Sequence, residues 1–216
     1  MKKILLVVVI IIFITLLLPL AIVWLIGGSG EGQSPIESGT VSVYVSEEDC
    51  VKDMDINEYL KCVVAAEMPA DFEEEALKAQ AVAARTYLYS HIAEKDKGNI
   101  AESHNGAAIC TDSTHCQAYI SEDKRRESWG AGADENWNKI STAVDETTGQ
   151  IMIYNDEIIS AVFHSTSSGI TESAVDVWGA DVPYLQSVAS TGDEESPKYH
   201  SELTLSEQEF KNIAEE

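Results

Sequence analysis

Basic residues are scarce in this chain of 216 residues: Lys and Arg number 14 against 37 Asp and Glu, a net charge of −23 at pH 7 with His neutral. So acidic a surface repels phosphate backbones and anionic lipid headgroups, which excludes nucleic acid as a partner and leaves uncharged glycans admissible. Internal repeats, heptad arrays and low-complexity tracts are missing, apart from one glycine- and serine-rich stretch, so solenoids and coiled coils are excluded. No nucleophile-elbow pattern accompanies the serines, and no Asp is placed to orient a histidine beside them, which argues against a serine hydrolase. Charge of either sign is absent from Ile4 to Ile26.

That uncharged run would extend about 35 Å as a helix, enough to cross a bilayer with some tilt. A cleaved leader has a shorter apolar region and a small-residue cleavage site; here Trp24 and Gly27-Gly28-Ser29-Gly30 follow instead. Lys2 and Lys3 hold the start of the chain on the cytoplasmic side. The expected organisation is a cytoplasmic tail over 1–3, a single transmembrane anchor over 4–26, a flexible linker over 27–40 and one extracytoplasmic domain over 41–216.

Within that domain, Val41–Val45 alternates as a strand and is ended by Glu47-Glu48-Asp49. Two helices follow, hinged at a proline. The first covers Asn57–Glu67 and stops at Met68-Pro69, since a residue before proline is pushed out of the α region. Ile56, Leu60, Val63 and Val64 share one face, and Glu67 continues it at the last turn. A carboxylate there, where a broken helix opens a gap, is a candidate proton donor. The second helix opens at Asp71 with Glu74 three residues on, close to a capping box. It carries a stripe of Leu77, Ala81, Ala84, Leu88 and Ile92 and a second face of Ala76, Ala79 and Ala83, so it reads as a central helix touched on both sides. Arg85 lies beside the stripe and needs an anionic partner, either Glu67 or an acidic group on a ligand.

Residues 96–137 read as a long polar loop, a length usually functional or tied down. His104, Cys110, His115 and Cys116 fall close together in it, two nitrogen and two sulfur ligands, the number and mixture that suit a closed, structural zinc ion. A Cys110–Cys116 disulfide competes, and Cys50 and Cys62 could pair with each other or with these two, which gives three connectivities. The two histidines favour zinc, because a disulfide gives no reason for imidazoles to flank the cysteines. Cys62, beside the apolar face of the first helix, reads as a buried free thiol.

A helix is expected over 138–148, then a hairpin of Gln150–Tyr154 and Ile158–Phe163 joined through Asn155-Asp156-Glu157. The second strand delivers His164-Ser165-Thr166-Ser167-Ser168-Gly169, with Thr171-Glu172 beyond. Ser206 and Glu209 form a capping box ahead of Phe210, Ile213 and Ala214. The fold class is α+β, helices with antiparallel strands, apparently truncated at its C-terminus because the last helix stops in mid-pattern.

Several stretches taken together resemble one family. A-A-E-M-P at Ala65–Pro69, E-A-L-K-A-Q-A-V-A-A-R-T-Y at Glu75–Tyr87, C-Q-A-Y at Cys116–Tyr119 and H-S-T-S-S-G-I-T-E at His164–Glu172 are similar to the stage II sporulation protein D family, lytic transglycosylases of spore formers, with Ser121 and Ser168 where the family has glycine. The resemblance implies Glu67 as catalytic acid and base and places Arg85 in the same active-site region. It implies substrate contacts from Tyr119, His164, Ser165, Thr166, Ser167, Thr171 and Glu172. Asp176-Val-Trp178-Gly179 and Asp181-Val-Pro183-Tyr184 also match, with aromatic surfaces suited to sugar rings. Zinc-binding members agree with the ligand set. The implied substrate is peptidoglycan glycan strands stripped of stem peptides, cleaved during septal wall remodelling and engulfment. A partner amidase/endopeptidase and a membrane protein of the engulfment machinery are implied too, at the mother-cell or septal membrane. The alternative is a wall-binding enhancer of such an amidase.

Overall fold

The computed structural model describes residues 39–196 and 199–214. The expected cytoplasmic tail, anchor and nearly all of the linker lie outside these residues. Among the described residues, no helix is long and apolar enough to cross a membrane. The described residues group into two compact units: one runs to Met152 and includes Ile158–Ser160, the other holds Ile153–Glu157 and Ala161 onward.

In the first unit, strand β1 (Thr40–Val45) buries Val41, Val43 and Val45 on one face, as the alternation requires. The chain turns at Asp49, which takes φ 51°, and returns as β2 (Cys50–Asp55), antiparallel to β1 with Val45 opposite Cys50. The sequence does not announce β2, because C-V-K-D-M-D is a mostly exposed edge strand with no apolar face to alternate. On the other side of β1 lies β3 (Ile109–Cys110), paired in parallel, giving the order β2-β1-β3. The expectation of antiparallel strands holds for β1–β2 and fails for β1–β3: a parallel pair needs a long crossover, and two helices supply it.

Helix α1 (Ile56–Glu67) starts where the Asp55 carboxylate accepts from the N–H groups of Asn57 (2.9 Å) and Glu58 (3.1 Å). It ends at Met68, forced extended (φ −131°, ψ 135°) by Pro69. Helix α2 (Glu74–Asp96) buries Leu77, Ala81, Ala84 and Leu88 completely. It starts at Glu74 and not at Asp71, because the Phe72 N–H closes a turn onto the Pro69 carbonyl at 3.2 Å and leaves Asp71 inside that turn. Its second small-residue face is a further correction: Ala79 is exposed and Ala76 and Ala83 are only half-buried, so α2 packs by one broad face.

The stretch read as a long loop contains helix α3 (Glu122–Trp129), and helix α4 begins at Ala133, before the expected 138, and runs to Glu146. The sequence E-D-K-R-R-E-S-W has no apolar stripe and buries no residue, so hydrophobic periodicity is blind to α3. Arg126 ties it together through Glu122 (2.5 Å) and Asp134 (2.6 Å). Helix α4 buries Trp137, Ile140, Ala143 and Val144, and with α1, α2 and β1 it forms the core.

Strands β4 (Ile153–Tyr154) and β5 (Glu157–Ile158) are shorter than the expected runs; they flank a turn with positive φ at Asn155 (51°) and Asp156 (65°), the I′ geometry these residues favour. In the second unit, helix α5 (Ala174–Trp178) is capped by the Ser173 hydroxyl. Helix α6 (Glu207–Ala214) carries the expected capping box: Ser206 N–H donates to Glu209 Oε2 (2.8 Å) and Glu209 N–H to Ser206 Oγ (3.3 Å).

Candidate functional site

The break at Met68-Pro69 opens a cleft of about 530 Å³ at the C-terminus of α1, lined by Glu67, Pro69, Asp71, Arg125, Trp129 and Asn136. Half-buried Glu67 is fixed there by the backbone N–H of Ala118, which donates to Oε1 at 2.7 Å. With Oε1 occupied, a proton on this carboxyl sits on Oε2, which has no protein partner among the described residues. Proline has a second effect. In a continuing helix the carbonyl of Ala65 would accept from residue 69, and Pro69 has no N–H to give. Arg125 fills the gap: its Nε donates to the Ala65 carbonyl at 2.7 Å, its Nη2 reaches the same oxygen, and its guanidinium lies 5.2 Å from the Trp129 ring centroid.

Arg85 is 1 % exposed, and its partner is not the expected carboxylate. Nη1 donates to the Thr147 carbonyl at 2.7 Å and Nη2 to the Val144 carbonyl at 2.9 Å, at the C-terminus of α4. The orphan carbonyls and the negative end of the helix dipole take the place of an anion. Burial lowers the guanidinium pKa from its ordinary value. No hydrogen bond joins Arg85 to Glu67, and Arg85 does not line the cleft.

The four metal-ligand candidates come together. The ligating atoms of His104, Cys110, His115 and Cys116 all lie within 4.8 Å of one another. His104 Nε2 stands 3.0 Å from His115 Nδ1 and 3.1 Å from Cys116 Sγ; His115 Nδ1 is 3.4 Å from Cys116 Sγ and 3.6 Å from Cys110 Sγ. A tetrahedral zinc ion with ordinary bond lengths needs edges of about 3.3–3.8 Å, so the residues fit one. All four cysteines of the chain are unpaired in the structure. Ser103 Oγ meets His115 Nε2 at 3.0 Å, fixing that ring with Nδ1 toward the cluster. The turn into the cluster is set by Asp112, whose carboxylate accepts from the N–H (2.8 Å) and hydroxyl (2.7 Å) of Thr114; those bonds hold its pKa below the usual carboxylate value. Without metal, burial pushes the Cys116 thiol up to about 12 and lowers the pKa of His104.

The N–H that holds Glu67 belongs to Ala118, two positions after Cys116. Gln117, between them, is 3 % exposed, and neither end of its amide has a hydrogen-bond partner in the protein. Tyr119 stacks on Tyr59 with centroids 5.9 Å apart and packs against the core, and its ring does not line the cleft. Cys62 is the buried thiol expected of it, raised to about 11 by burial.

In the second unit, His164, Thr166, Ser167, Thr171 and Glu172 line a cavity of about 520 Å³ with Trp178 and Tyr184, while Ser165 is exposed and does not line it. Asp193 organises the loop: Ser167 donates to its Oδ2 through both N–H (3.0 Å) and hydroxyl, and Gly169 N–H donates to Ser167 Oγ at 3.1 Å. Those bonds lower the Asp193 pKa. The Ser167 hydroxyl donates to a carboxylate and not to His164, so His164 does not activate it as a nucleophile.

Residues 44–154, more than half of the chain, match the family model SpoIID, stage II sporulation protein. The chain belongs to the SpoIID family. The SpoIID match ends at Tyr154, so it carries the α1–α2 break, the Cys-His cluster and α3 together. Stage II sporulation protein D of Bacillus amyloliquefaciens is 39% identical over 178 residues, 82% of this chain and 50% of the relative. The protein of the same name from Bacillus subtilis (strain 168) is 38% identical over 184 residues, 84% and 52%. An amidase enhancer of Bacillus subtilis (strain 168) is 36% identical over 151 residues, 70% of this chain and 17% of the relative. The chain thus spans about half the length of its SpoIID relatives.

Sequence reasoning missed Arg125, Asp71 as a cleft residue, and Asp193. The first had a signal: a proline two residues after a helix end leaves a carbonyl four residues earlier without a donor, and an arginine in a charged segment is a ready supplier. Asp193 had none, being far from Ser167 in sequence and one acid among many.

Proposed function

We propose that this SpoIID protein cleaves peptidoglycan glycan strands by lytic transglycosylation with Glu67 as the single acid and base. The observation that carries the reading is the Glu67 carboxyl held by the Ala118 N–H at Oε1 while Glu67 lines the cleft. Glu67 gives its proton to the glycosidic oxygen as the C1–O bond breaks. The carboxylate then takes the proton of the muramoyl 6-hydroxyl as that oxygen closes on C1. The net movement is one proton from the 6-oxygen to the leaving oxygen; the product is a 1,6-anhydro end, and no water is consumed. Hydrolytic glycosidases use a second carboxylate. Mass spectrometry of strands digested by the purified full-length chain tests this: 1,6-anhydro-muramoyl ends are expected, and reducing ends alone would overturn it.

Zinc is the metal we assign to His104, Cys110, His115 and Cys116. Bound there, it supplies a four-ligand knot with no open position for water, and its work is to hold the 102–116 loop in place. A single-pass anchor over 4–26 would present the enzyme outside the membrane, at the septum of a sporulating cell, to strands already stripped of stem peptides by a partner amidase. The amidase enhancer among the relatives supports a second reading, in which the domain binds the wall and stimulates an amidase without chemistry of its own.

A further inference from the structure

We infer that Arg125 is a specificity-determining residue, reading the free lactyl carboxylate that a muramoyl unit exposes when no peptide is attached to it. The inference rests on the glycan-cleaving reading above and names what selects the strand at that same cleft.

Glu67 and Asp71 make the cleft acidic on one side, and Arg125 is the cation among the residues that line it. The whole chain carries −23, so an anionic ligand meets repulsion everywhere except where a fixed positive charge is offered. Arg125 is fixed. Nε and Nη2 are committed to the Ala65 carbonyl, and the Trp129 ring holds the guanidinium plane. Nη1 has no protein acceptor among the described residues, which leaves two N–H groups for a ligand oxygen. One face of the group therefore secures the helix end carrying Glu67, and the other presents charge to whatever enters.

The ligand chemistry follows from the substrate class. A peptide-bearing muramoyl unit has a neutral amide at its lactyl group; a stripped unit has a carboxylate there, on the sugar whose C1 is attacked. A guanidinium pairs strongly with the second and gains little from the first. Placed on the helix that borders Glu67, Arg125 would turn removal of the peptide into a gain in affinity at the reacting sugar.

The test compares stripped glycan strands with the same strands whose lactyl carboxyl groups have been converted to methyl amides, which removes the charge and keeps the shape. Binding is read with the full-length chain carrying Glu67→Gln, so that no turnover intervenes, and cleavage with the wild-type chain. The expected result is about tenfold tighter binding of the free acid, a preference that shrinks at high salt. Adding Arg125→Gln should bring the ratio close to one, and Arg125→Lys should restore part of it. A thermal melt of each variant accompanies the binding. If Arg125→Gln weakens both ligands alike, or lowers the melting temperature with the ratio unchanged, the arginine is a helix cap only and the inference falls. Equal binding of the two strands by a chain that cleaves both overturns it too, and leaves the cleavage reading standing. Absence of cleavage of either strand sinks the cleavage reading itself.

Discussion

The N–H of Ala118 donates to Glu67 Oε1 at 2.7 Å, across 51 residues of sequence. Ala118 follows the metal-ligand candidate Cys116 by two positions, so the loop that would bind metal and the loop that orients the acid are one piece of backbone. A disturbance of the cluster therefore reaches Glu67 through a single hydrogen bond, with no change to the carboxyl itself.

Glu67→Gln keeps the shape and the Ala118 bond but cannot deliver a proton. It should lower cleavage by about a hundredfold to ten-thousandfold while leaving strand binding and the melting temperature near wild type. Asp71→Asn is the control, because Asp71 also lines the cleft. Cleavage by that variant should stay within a few-fold of wild type; a loss as deep as that of Glu67→Gln would mean two carboxylates act and the reaction is hydrolysis.

Arg85→Ala should destabilise the fold by about 2–4 kcal/mol, since it strips charged donors from the buried carbonyls of Val144 and Thr147. Denaturant unfolding measures this. The folded fraction should keep its kcat, because Arg85 bonds to α4 and does not line the cleft; a large drop in kcat at unchanged stability would return Arg85 to the catalytic machinery.

Cys116→Ser and His104→Ala should each release the metal and lower the melting temperature, read by elemental analysis and thermal melts. The pH dependence has a definite sign. With the Cys116 thiol at about 12 in the metal-free chain, binding displaces a proton, so metal affinity rises with pH and falls as the solution is acidified. Metal retained by His104→Ala at wild-type affinity would exclude this ligand set.

Cys62, pushed up to about 11 from 9.0, holds about a hundredfold less thiolate at pH 8 than an ordinary cysteine. Iodoacetamide should label it at least that much more slowly in the native chain than after denaturant opens the core. Equal rates in the two states would contradict its burial.

What was legible in the sequence was whatever had a period, a proline or a ligand type. Leu60, Val63 and Val64 mark α1 by spacing, Pro69 marks its end, and two imidazoles beside two thiols mark the cluster before any geometry is known. Strand β2 and helix α3 were illegible because neither buries a face, and an element that buries nothing leaves no hydrophobic pattern. Arg85 is legible as a buried cation that needs compensation, but the anionic partner expected for it is replaced by helix carbonyls, which depends on where α4 ends in space. The clustering of Ser167 with Asp193 depends likewise on tertiary structure alone.

Strand β3 pairs in parallel with β1, and beside it the Ala108 N–H donates to the Ser42 carbonyl at 3.0 Å, over 66 residues of sequence, with α1 and α2 lying between. Helical contacts close short loops and the β3–β1 pairing a long one, so the helical pair is expected to form before β3 docks on β1 and before the residues that follow β3 reach their places. Refolding followed at the helices should therefore run ahead of refolding followed at Glu67, whose orienting N–H arrives with the final segment.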